Sequence, residues 1–78
     1  MRGYLTKTES EVLYFLAKYG MGTKQIGDEL HMAQNTVREH IENAGRKKRL
    51  HGQVEIVAWA WRSGWLLLYE EERRLRRR

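Results

Sequence analysis

Cysteine and proline are both absent from the 78 residues. Without cysteine there can be no disulfide, no thiolate zinc site and no Cys nucleophile. This suits a reducing compartment. Without proline, nothing in the chain forces a helix to break by ring geometry. No run approaches the roughly 18 apolar residues of a membrane span. Polar and charged residues recur from Arg2 onward, so the N-terminus lacks the apolar core of a signal peptide. There is no internal repeat, and low complexity is confined to the last stretch. No Ser-His-Asp set and no glycine-rich phosphate loop is present, because the seven glycines are scattered. An enzyme is therefore not expected, nor is a cofactor. What is present is a chain of one domain at most, with 41% hydrophobic and 32% charged residues and a formal charge of +5. A chain this short buries only about 60% of its unfolded surface and gains from a partner subunit. A cytoplasmic protein with an anionic partner is the expectation, and no membrane association.

The charge is uneven. Residues 1–45 hold five Lys or Arg against six Asp or Glu, whereas residues 46–78 hold ten against four. Two clusters make the excess: Arg46-Lys47-Lys48-Arg49, and Arg73-Arg74 with Arg76-Arg77-Arg78. Each reads either as a solvated helix face or tail, or as a set of phosphate contacts that displace condensed counterions.

Hydrophobic spacing organises the rest. Thr6-Lys7-Thr8-Glu9 has the form of a capping box, with Leu5 as its staple, and opens a helix of about residues 7–19 that ends at Gly20 and Gly22. A second helix begins after Gly22 or Thr23 and carries Ile26 and Leu30 four apart. Gly27 lies between them, and a glycine inside a helix costs about 1 kcal/mol against alanine. Close approach of another helix is the expected compensation. After His31-Met32-Ala33, a third helix of about residues 34–49 lines Val37, Ile41 and Ala44 on one face. Its other face carries Asn35, Arg38, Glu39, Glu42 and Arg46, all able to hydrogen-bond. It runs to about residue 50, with Gly52 as terminator. Residues 53–63 form a fourth helix with two apolar faces, one of Val54, Val57, Ala58 and Trp61, the other of Ile56, Trp59 and Ala60. Two such faces call for burial on both sides, one supplied by another chain. From Trp65 the chain either continues as a helix or is apolar to Tyr69 and disordered beyond, giving a domain over 1–65 and a charged tail over 66–78.

A helix pair joined by a short turn, its second helix polar outside, is a helix-turn-helix arrangement, whose second helix fits a major groove about 12 Å wide. From Leu5 to about Leu66 the chain resembles LuxR/GerE-type helix-turn-helix domains. The matching blocks come in the family's order: Leu5-Thr6 with Glu9, Glu11, Val12 and Leu13; Thr23–Leu30, which reads T-K-Q-I-G-D-E-L; Thr36–Ala44, which reads T-V-R-E-H-I-E-N-A; and Val54–Val57 followed by Gly64.

The resemblance implies an all-α, four-helix domain that binds double-stranded DNA as a transcription regulator and pairs as a homodimer. It implies base reading by Arg38, with Glu39 and Glu42 as the next outward positions and Gln34 and Asn35 at the helix start. Lys24 and Thr36 fall where phosphate is held, and Arg46 and Lys47 belong to the backbone clamp. The dimer contact falls on Val54, Ile56, Val57, Trp59 and Ala60. There are departures from the family pattern. An extra residue near Tyr19–Gly20 lengthens a loop. Ala33 replaces the usual Ser or Thr cap, with Asn35 as an alternative cap for a later start. Glu42 stands where a Lys is frequent. His31, His40 and His51, nine and eleven apart, do not make a metal set, and His40 is expected to pack or cap. The tryptophans favour protein packing over a membrane surface. Two other readings remain: a protein-interaction module acting on RNA polymerase or another regulator through the Trp-rich helix and tail, and a nonspecific DNA-binding protein.

Overall fold

The computed structural model describes residues 4–76. Its first helix, α1 (Lys7–Tyr19), starts as the T-x-x-E pattern dictates. The Thr6 hydroxyl accepts from the Glu9 amide at 3.0 Å, and the Glu9 carboxylate accepts from the Thr6 amide at 3.0 Å. Gly20 ends the helix in the left-handed region (φ 66°), its N–H donating to the Leu16 carbonyl at 3.1 Å. There follow α2 (Thr23–Leu30), α3 (Gln34–Lys48), α4 (Gly52–Arg62) and α5 (Trp65–Arg76).

The turn between α2 and α3 is tight. His31 takes the left-handed conformation (φ 60°), and the Met32 N–H reaches the Gly27 carbonyl at 2.9 Å. This turn explains Gly27. A Cβ there would lie 2.5 Å from the Met32 carbonyl oxygen. The close neighbour is the backbone of the turn, not another helix as the sequence suggested. Ala33 is the N-cap of α3, extended and without a side-chain cap. Asn35 is already inside the helix, so it does not cap a later start.

α3 ends at Lys48, with Arg49 as a left-handed cap (φ 58°), earlier than the expected limit near residue 50. Gly52 does not terminate it but opens α4.

The main core joins Val12, Leu13 and Leu16 of α1 to Ile26 of α2, Val37, Ile41 and Ala44 of α3, and Ile56 of α4. A second cluster joins Tyr14 and Ala17 to Ala60 and Leu66. α1 is thus buried on two sides.

The four-helix expectation becomes five helices among the described residues. From Trp65 the chain is helical to Arg76, and Leu66 is only 1% exposed. Leu66, Tyr69, Glu70 and Arg73 fall at i, i+3, i+4 and i+7, one stripe of a helix. Each side chain meets α1: Leu66 packs with Ala17, Tyr69 lies against the Tyr14 ring, Glu70 pairs with Lys18, and the Arg73 guanidinium sits 4.7 Å from the Tyr14 ring centre. The Tyr14 hydroxyl donates to Glu70 at 3.3 Å. Burial, the Tyr19 hydroxyl and the Glu70 carboxylate push Tyr14 up to about 12, so it stays a donor. Arg77 and Arg78 of the tail lie outside the described residues.

Candidate nucleic-acid interface

α3 has 15 residues and is about 22 Å long at 1.5 Å per residue. Its buried side is Val37, Ile41, Ala44 and Gly45. With about 100° between successive residues, Asn35, Arg38, Glu39, Glu42 and Arg46 share the opposite side. All five are exposed, as is Gln34. Side-chain bonds tether this face. The Arg38 guanidinium donates to the Asn35 side-chain oxygen at 3.2 Å, and Arg46 donates to Asn43. The Gln34 amide donates to the Thr23 hydroxyl at 2.8 Å and so ties the start of α3 to the start of α2. Thr36 is half-buried on the flank of α3, and Lys24 stands in solvent with its ammonium 3.9 Å from Asp28.

The run Arg46–Arg49 does not form one clamp, because the three helical residues Arg46, Lys47 and Lys48 are about 100° apart around the axis and Arg49 lies in the left-handed cap. Arg46 stays on the outer face. Lys47 turns to α1, where its ammonium lies 2.7 Å from the Glu9 carboxylate. Lys48 lies over the Trp59 ring, 5.5 Å from its centre, and Arg49 is the exposed cap. Lys47 thus faces α1 and does not stand beside Arg46 on the outer side. Burial pushes the Glu9 carboxyl up, but hydrogen bonds from Lys47 and the Thr6 amide, with the charges of Lys47 and His40, hold it below the usual carboxylate value. His40 stands half-buried on the same flank of α3 as Lys47, in keeping with a packing role.

Residues missed by sequence reasoning lie beside α3. An open groove of about 510 Å³ runs between its outer face and the start of α4, with His51 and Gln53 on one edge and Arg38, Glu42 and Arg46 on the other. No pattern in the sequence joins 38–46 to 51–53; the turn at Arg49 does.

The proposed dimer residues separate. Ile56 and Ala60 point into the chain's own core, at 2% and 0% exposure, since α1 and α5 already cover that face. They are not on an outer surface. Trp59 packs beside Trp65, with ring centres 5.7 Å apart. Val57 is half-buried. Val54 and Trp61 remain outside, 84% and 54% exposed, and the Trp61 indole N–H is held by the Ala17 carbonyl at 3.1 Å.

Residues 4–60, covering α1 to α3 and most of α4, match the family described as bacterial regulatory proteins, luxR family. The chain belongs to the LuxR family. It is similar to the spore germination protein GerE of Bacillus subtilis (strain 168), with 41% identity over 64 residues, 82% of this chain and 85% of GerE. It is also similar to the transcriptional regulatory protein DegU of Brevibacillus brevis, with 29% identity over 62 residues, 80% of this chain but 26% of DegU. The chain thus spans most of GerE and about a quarter of DegU. No solved structure matches it. In this LuxR-family chain, α5 lies beyond the segment the family description covers. Among the described residues no helix is long and apolar enough to cross a membrane.

Proposed function

We propose that the chain is a sequence-specific, double-stranded DNA-binding regulator of transcription, acting as a homodimer in the cytoplasm, on the nucleoid. The observation that carries this reading is the outer face of α3. It presents five hydrogen-bonding side chains on a helix whose other side is locked into the core. Such a helix fits the major groove, where Arg reads guanine and a carboxylate accepts from cytosine. In this reading Arg38 reads bases, with Asn35, Glu39 and Glu42 beside it. Lys24, Thr36, Gln34 and Arg46 hold the backbone, which fixes register without reading sequence. The match to a family of bacterial regulatory proteins and the relative named as a transcriptional regulatory protein support a regulator.

The second copy docks on the outer stripe of α4, where Val54 and Trp61 are exposed and Val57 and Ala58 half-exposed. Two α3 helices then read a two-fold site. Analytical ultracentrifugation tests this. Mass should rise with concentration for the parent, whereas the Val54→Glu, Trp61→Glu double variant should stay at the monomer mass. A parent that is monomeric at every concentration, with and without DNA, removes the dimer.

Binding itself is tested by fluorescence anisotropy with duplexes selected from a random pool. Affinity should fall steeply with salt, by about 0.9 in logarithmic slope per phosphate contacted. A second reading is favoured by α5, whose outer side exposes Leu67, Leu68 and Leu75. It is a module for RNA polymerase or another regulator, and predicts a stable hetero-complex with no duplex binding at low salt. Binding without sequence preference would instead mark a nonspecific DNA-binding protein.

A further inference from the structure

The ion pair between Glu9 and Lys47 is a link between α1 and α3 that the DNA-reading face does not use. Glu9 is 4% exposed, the one buried charged residue among those described. One oxygen of its carboxylate accepts from both the Thr6 amide at 3.0 Å and the Lys47 ammonium at 2.7 Å. The first of these bonds fixes where α1 begins. The second fixes the last turn of α3 to that point. Val37, Ile41 and Ala44 set the depth of α3 in the core, but apolar contact is not directional. A charge-assisted hydrogen bond is directional, and this one fixes the rotation of α3 about its own axis, which sets where Arg38 and Arg46 point.

We propose that Glu9 and Lys47 are positioning residues for DNA recognition: Lys47 acts on DNA through Glu9, by holding the rotation of α3, and not by touching phosphate. The proposal rests on the DNA-binding reading above. It gives a lysine of the basic run a role opposite in kind to its neighbour Arg46. It also assigns a DNA-affinity role to a buried acid on another helix.

Salt dependence separates the two roles. A lost phosphate contact lowers the logarithmic salt slope by about 0.9, whereas a lost positioning bond lowers affinity at every salt and leaves the slope alone. Binding of the selected duplex should be measured from low to high salt for the parent, Lys47→Met, Lys47→Arg, Glu9→Gln and the Glu9→Gln, Lys47→Met double variant, at a temperature where circular dichroism shows each to be folded. The expected result is affinity about fivefold lower for Lys47→Met and for Glu9→Gln, with the parent's slope. The double variant should fall no further than the worse single one, because both remove one bond. Lys47→Arg, which keeps the charge, should restore most of the affinity. A slope reduced by about 0.9 in Lys47→Met, or tighter binding by Glu9→Gln because Lys47 is freed for phosphate, overturns the proposal and leaves the DNA-binding reading intact. If a single variant does not fold, amide hydrogen exchange of Lys47→Arg decides: protection of residues 38–46 equal to the parent supports the link, and lost protection with unchanged DNA affinity overturns it. A parent that binds no duplex at low salt overturns both readings together.

Discussion

Gly27 shows how a single position can set local propensity against packing. Alanine there would gain about 1 kcal/mol of helix propensity. Its Cβ, however, would meet the Met32 carbonyl oxygen at 2.5 Å, and that oxygen belongs to a turn held by its own hydrogen bond. Overpacking costs typically about 1–3 kcal/mol, and backbone has little room to give. Gly27→Ala should therefore destabilise by about 2 kcal/mol in urea denaturation despite its better propensity. Ala33 is the reverse case, an extended N-cap with nothing to offer the amides of the first turn. Ala33→Ser should add about 1 kcal/mol, seen as a melting temperature several degrees higher. The capping box at Thr6 and Glu9 was legible because its partners are three residues apart. The second partner of Glu9 was not, since Lys47 is 38 residues away and reads in the sequence as one more member of a basic run.

Among the helices, α1 to α3 were legible because each carries an apolar stripe at helical spacing, although the end of α3 was not, since Arg49 caps it and Gly52 opens α4. α4 and α5 were only half legible. Two apolar faces on residues 53–63 implied burial on two sides, but the chain itself covers only the face of Ile56 and Ala60, through α1 and α5, and leaves Val54 and Trp61 of the other face exposed. α5 hid itself because its inner stripe is half polar. Glu70 and Arg73 face α1 through an ion pair and an aromatic contact that a hydropathy pattern does not register. That polar docking leaves Leu66 as the main apolar anchor of α5. Leu66→Ala should cost about 2–4 kcal/mol. It should also raise the amide exchange of residues 66–76 above that of α2 and α3. Uniform exchange across the chain would mean that α5 is held by its polar stripe instead.

At the scale of the whole molecule, the charge of +5 does not form a basic coat over the reading face. The outer side of α3 balances Arg38 and Arg46 against Glu39 and Glu42, while Lys47 is joined to Glu9 and Lys48 lies over Trp59. A near-neutral face is poor at nonspecific binding and relies on matching donors and acceptors to bases. The most direct measurement is the discrimination of Arg38→Ala between a selected duplex and a scrambled one at fixed salt. The parent should prefer the selected duplex, and the variant should lose at least about tenfold of that preference while binding the scrambled duplex nearly as before. If Arg38→Ala discriminates as well as the parent, α3 does not read the bases and the account of the outer face is wrong.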